Sequence, residues 1–134
     1  MPAHIKIIHA HEFIKATPEG LFDLNESKKL LLEIAAISVP SVEYEILLDI
    51  RNVNSELSIA NLWYLADELN KFRKTFTCKT AVLCPVEQFD HAGFFALCSQ
   101  NRGFHVRAFT SYEGAMEWLL ESKSIDADNL SPCS

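Results

Sequence analysis

No apolar run in this chain approaches the ~20 residues that a membrane-crossing helix needs, so no transmembrane segment is expected. The N-terminus lacks a positively charged start followed by a long apolar stretch, and no secretory leader is expected either. Cysteine is sparse: Cys78, Cys84, Cys98 and Cys133 include no CxxC pair, which argues against a disulfide framework. Together these absences imply reduced thiols and a cytoplasmic location. Basic residues are in deficit, with 12 Lys and Arg against 18 Asp and Glu and a net charge of −6. That balance disfavours nucleic acid and acidic lipid as partners. Lys71, Arg73, Lys74 and Lys79 form a local exception, read as a solvated helix end because cations suit the C-terminal dipole.

What is present suffices for a self-sufficient core. The 134 residues fit one domain, and 49% of them are hydrophobic. A chain of this size buries roughly 68% of its unfolded surface, so no metal or disulfide staple is required. Nine Phe against two Met suggest rigid aromatic and aliphatic packing.

The pattern opens with two short strands or one bent strand, near Ile5–Ala10 and Glu12–Ala16, broken by a turn at Thr17-Pro18-Glu19-Gly20. A helix follows over Leu24–Ile37, with Asp23 or Asn25 as candidate cap. Tyr44–Ile50 is a nearly unbroken apolar run, as befits a central strand covered on both faces. Arg51–Leu57 reads as a loop, and Ser58 caps a long helix with a stripe from Ile59 to Phe76. Lys79–Cys84 is a short buried strand closed by Pro85. A helix over Gln88–Asn101 stops at Gly103. Phe104–Phe109 is the last strand, and Thr110 with Glu113 makes a capping box for a helix to Ser122. Residues 123–134 are polar and expected to fray. The order β(β)αβαβαβα predicts a single α/β domain over residues 1–122, with a mostly parallel sheet and helices on its faces.

Three stretches carry a family resemblance. Gly20-Leu21-Phe22-Asp23 leads into the first helix. The strand Tyr44–Ile50 runs through the 49–57 loop into a Ser-capped helix. The ending Val106-Arg107-Ala108-Phe109, then Glu113-Gly114-Ala115-Met116-Glu117-Trp118-Leu119, pairs a strand with a terminal helix. The pattern resembles the STAS domain of sulfate transporters and anti-sigma-factor antagonists, in its SpoIIAA-like (STAS/SEC14-like) bacterial branch. The resemblance implies a non-enzymatic fold used for partner switching in one branch and for small apolar or lipid-like ligands in another. It also implies that Ser58 is a candidate phosphorylation switch. Here the family's Asp-Ser-Ser-Gly-like sequence is Leu57-Ser58-Ile59-Ala60, without the Asp and the Gly, so a plain helix cap is the competing reading. Phosphate there is physically favourable, since helix N-terminal amides attract anions.

Two further surfaces stand out. Asp49, Arg51 and Asn52 leave one strand, while Glu87, Asp90 and His91 follow its neighbour, and ligands of open α/β sheets favour the crevice beyond the strands' carboxyl ends. The competing reading pairs Asp49 with Arg51. The segment Ala92–Cys98 puts seven apolar or small residues on every face of a helix, so some of Phe94, Phe95 and Leu97 must meet something besides the sheet. A neighbouring helix, a second copy of the chain, a lipid-touching patch, or a cavity beneath a lid would each answer that need.

Catalysis is not expected. Asp90 and His91 are adjacent on a helix and point about 100° apart, Cys84 closes an apolar strand, and no Gly-rich oxyanion turn accompanies them. Cys84, His91 and Cys98 are too widely spaced for a structural zinc site, and His4, His9 and His11 suit polar edge-strand positions. Neither a metal nor a cofactor is expected. The sequence thus points to a non-enzymatic binding or regulatory module that engages a protein partner or small ligand through the 49–58 loop and the 88–101 helix. The alternative is a carrier or sensor of a lipid-like or other small apolar molecule, with that helix as lid.

Overall fold

The computed structural model describes residues 3–8, 13–39 and 42–125. Its main sheet contains β1 (Ala3–Ile8), β2 (Phe13–Pro18), β4 (Glu45–Asp49), β6 (Thr80–Leu83) and β7 (Val106–Phe109), side by side in that order. β1 pairs antiparallel with β2, and every other pairing is parallel. The helices are α1 (Leu24–Ile37), α2 (Ile59–Glu68), α3 (Phe89–Gln100) and α4 (Tyr112–Ile125). A separate parallel ribbon joins β3 (Gly20–Phe22) to β5 (Val53–Ser55).

From β2 onward the parallel strands advance in one direction across the sheet. Right-handed crossovers then bring their helices to the same face. Ile14, Ile46, Leu48, Val82 and Val106 accordingly pack in one cluster with Leu30 and Ile34 of α1, Leu65 of α2 and Ala96 of α3. The alternate residues Phe13, Leu47, Ala81 and Leu83 pack instead with Ala115 and Leu119 of α4. Of the described helices, three therefore cover one face and one covers the other.

Several local expectations are corrected. Thr17 and Pro18 extend β2 rather than forming a turn, and the reversal falls at Gly20, whose φ of +81° favours glycine. The 51–57 segment is not only loop, since β5 lies within it. The helix from Ser58 ends at Glu68, and a 3-10 turn over Leu69–Phe72 follows, although Phe76 is still buried. The terminal helix starts at Tyr112 with the Ser111 hydroxyl accepting from the Gly114 amide at 3.1 Å, in place of the expected Thr110–Glu113 box. That helix runs past Ser122 to Ile125. His9, His11, Cys133 and residues 126–134 of the expected tail lie outside the described residues.

Candidate functional site

The carboxyl ends of β4 and β6 open toward the ribbon, the first turns of α1 and α2, and the start of α3. Asp23 caps α1, its Oδ1 accepting from the Glu26 amide at 2.9 Å. Ser58 caps α2 in a reciprocal pair: its Oγ accepts from the Asn61 amide at 3.1 Å, and its own amide donates to Asn61 Oδ1 at 3.0 Å. No side chain caps α3, which is entered through a 3-10 turn over Val86–Gln88.

Between these elements lies a cavity of about 80 Å³. Its inner wall is apolar and buried, with Leu30 and Leu31 from α1, Leu48 and Val82 from the strands, and Leu62 and Leu65 from α2. Ile50, Ser55 and Leu57 close it on the loop side, and Gln88, His91, Ala92 and Phe95 close it from α3. The 49–58 loop and the 88–101 helix thus meet around one void.

The expected crevice residues divide between the two faces. His91 lines the cavity, whereas Asn52, Glu87 and Asp90 point to solvent. Asp49 and Arg51 belong to the opposite, α4 face, because successive strand residues alternate. Asp49 registers with Leu83, whose side chain packs with α4, and Leu48 registers with Val82 on the cavity face. On the α4 face the two residues form a bidentate pair. Arg51 Nε donates to Asp49 Oδ1 at 2.9 Å and Nη2 donates to Oδ2 at 2.8 Å, while the Arg51 amide also donates to Oδ1 at 3.2 Å. Burial works to raise the Asp49 carboxyl. The Arg51 hydrogen bonds and charge, helped by the charge of Lys15, outweigh it and hold the carboxyl below its ordinary value of 3.8. The pair accounts for Asp49 as a structural group.

Phe94, Phe95 and Leu97 also part company. Phe95 packs against the main core and lines the cavity, Phe94 is half-buried, and Leu97 is 53% exposed. At the other end of α3, Arg102 ties the helix to α2. Its Nη1 donates to the Cys98 carbonyl at 2.9 Å, its Nε lies 3.4 Å from Asp67 Oδ1, and its guanidinium covers the Trp63 ring at 4.8 Å. The sequence reading missed the ribbon and Phe22, Ser55 and Leu57 as cavity walls. Their signal, three-residue strands flanking Gly20 and Asn52, is too short to register as periodicity.

Other expected chemistry is accounted for locally. Cys84 is fully buried, its Sγ lies 3.5 Å from the Phe109 carbonyl, and burial pushes its thiol up to about 11, so it is a protonated thiol at neutral pH. Arg73 donates to Asn70 and to the Arg102 carbonyl, and Lys79 donates to the Trp118 carbonyl at 2.7 Å, so two of the four clustered cations hold loops together. Among the described residues no group of three or more His, Cys, Asp or Glu is arranged to hold a metal, and no helix is long and apolar enough to cross a membrane.

No protein-family model matches the chain, and no curated protein does. Among solved structures, an uncharacterized DUF3478-family protein with a SpoIIAA-like fold, from Shewanella loihica PV-4, aligns with a TM-score of 0.57 at 18% sequence identity. The alignment covers 88% of this chain and 92% of that one. At that likeness this chain has the SpoIIAA-like fold.

Proposed function

We propose that this domain is a non-enzymatic binding module that takes a small apolar molecule, or the apolar part of one, into the cavity between the 50–57 segment and α3. The observation that carries the reading is the void itself. The void is half open to solvent, and apolar surface left in such a cleft gains by being covered. A void at the carboxyl ends of parallel strands, where such folds bind ligands, favours a retained space over a packing defect. Its apolar lining excludes a water-filled polar pocket. Native mass spectrometry of protein purified gently from its own host is expected to show a bound small molecule. A cavity-filling Ala92→Leu variant should lose that adduct, and retention of the same adduct by the variant would place the ligand elsewhere.

A second reading has its own observation. Beside the exposed Ser58, Ile59 and Trp63 are each 50% exposed on α2, which suits a protein partner docking on that helix. In that reading Ser58 is the modifiable switch. A partner complex that survives both Trp63→Ala and Ser58→Asp would remove it.

A further inference from the structure

The buried wall of the void is apolar apart from Ser27, while the polar side chains of Ser55, Gln88 and His91 sit at its outer, more exposed end. None of these three makes a side-chain hydrogen bond to another described residue. Ser27, the remaining polar group of the lining, is already engaged, donating to the Asp23 carbonyl at 2.8 Å. Hydrogen-bonding capacity is therefore unspent at one place only, where the 50–57 segment faces the start of α3.

Charge narrows the chemistry. Among the described residues no Asp, Glu, Lys or Arg lines the cavity. An ion placed there would leave water without a counter-charge, a cost of several kcal/mol. Just outside, each polar lining residue has an acidic, exposed sequence neighbour: Glu56 beside Ser55, Glu87 beside Gln88, and Asp90 beside His91. Of the cations beside lining residues, Lys28 lies over the Tyr64 ring at 4.8 Å, Lys29 pairs with Glu26 and Arg51 pairs with Asp49. An anionic head group would meet this rim unfavourably. Size narrows it further. At ~10–15 Å³ of accessible space for each water-sized group, the void holds about five to eight non-hydrogen atoms before any wall moves. That excludes a long acyl chain from the void as it stands.

Resting on the cavity reading above, we propose that the ligand class is a small uncharged amphiphile. A short alkyl body fills the void, and one alcohol or carbonyl head meets Ser55, Gln88 and His91. Four probes test it on the intact protein by amide chemical shifts of Leu57, Ala92 and Phe95: xenon, 1-butanol, butyrate and butylammonium. Xenon reports the apolar void alone. Xenon and butanol should both shift these amides, with butanol saturating about tenfold or more below butyrate, whose carboxylate meets the acidic rim, and below butylammonium, for which the lining itself offers no carboxylate. In the Gln88→Leu/His91→Leu variant the xenon shifts should persist while butanol loses its advantage. If xenon binds but an ion equals or beats butanol, or the double variant keeps butanol's advantage, the uncharged-head assignment is overturned and the cavity reading stands. If no probe shifts these amides, both fall.

Discussion

Leu48 and Val82 help to enclose an apolar void, while Asp49 and Leu83, one residue further along the same strands, face α4. The first face is covered by three helices and holds uncommitted space. The second is covered by one helix, and Asp49, one of its buried carboxylates, is held by the neighbouring Arg51 guanidinium. The difference teaches where to look for function in this fold. Polar residues at strand ends attract attention in a sequence, yet here the conspicuous Asp–Arg pair is self-satisfied. The unfilled place is bounded by residues that read as ordinary core.

The contrast is testable from its strongest effect downward. On the cavity face, Phe95→Glu puts a carboxylate against the void and should cost about 3 kcal/mol or more. Leu97→Glu, two residues on but exposed, should change stability by no more than about 0.5 kcal/mol. Urea melts of the two variants measure this directly, and equal costs would mean that α3 is not oriented as described.

On the α4 face, Arg51→Ala leaves the Asp49 carboxylate buried without its partner and should cost about 2 kcal/mol, less than a deeply buried pair because Arg51 is half exposed. It should also change the acid limb. In the native protein the Asp49 carboxyl is held below 3.8, so its contribution is complete above about pH 4 and is lost as pH falls through the lower folded value. Without Arg51, burial is opposed by the Lys15 charge but by no Arg51 hydrogen bond, and the loss should begin at higher pH. Urea midpoints between about pH 3 and pH 7 resolve the two curves. Superimposable acid limbs would show that the pair contributes nothing to folding.

Smaller effects lie at the helix ends and along α3. Ser58→Ala removes the acceptor of the Asn61 amide and should cost about 1 kcal/mol, while Ser58→Asp should be tolerated as an alternative cap. Thermal melts that do not separate the two substitutions would contradict the capping role. Gly93 sits in the interior of α3, and a Cβ added there meets nothing within 4 Å. Gly93→Ala should therefore stabilise the protein by about 0.5–1 kcal/mol, the helix-propensity difference. Thermal melts measure this, and an unchanged or lower midpoint would show that the helix-propensity gain is not realised at this position.

Much of the architecture was legible in the sequence because periodicity survives packing. Leu30, Leu31 and Ile34 mark α1, and the run Tyr44–Ile50 marks a strand covered on both sides. Gly103, with φ of +92°, marks the stop after α3. What was not legible depended on alternation and on short pieces. The grouping of Asp49 and Arg51 with His91 failed because neighbouring residues of a strand point to opposite faces, and sequence proximity hides that parity. The end of α2 was overextended because Phe72 and Phe76 keep helical spacing while the backbone tightens into a 3-10 turn at Leu69. The cavity left one trace in the sequence, the apolar Ala92–Cys98 run, and its other walls left none. It is an absence of atoms, set by how three helices and a ribbon meet.

The monotonic strand order also governs how the chain assembles. Each of β4, β6 and β7 pairs with the strand laid down just before it in the main sheet, so every closure is short and its partner already exists as the chain emerges. The three-helix face can therefore grow unit by unit from the N-terminus, in the direction of synthesis. The α4 face cannot. Phe13, Leu47 and Leu83 come from three successive main-sheet strands, and the helix that covers them is the last of the described helices to be made. Until α4 has been synthesised, a growing chain carries an uncovered apolar sheet, and a chaperone acting on this protein would be needed longest there.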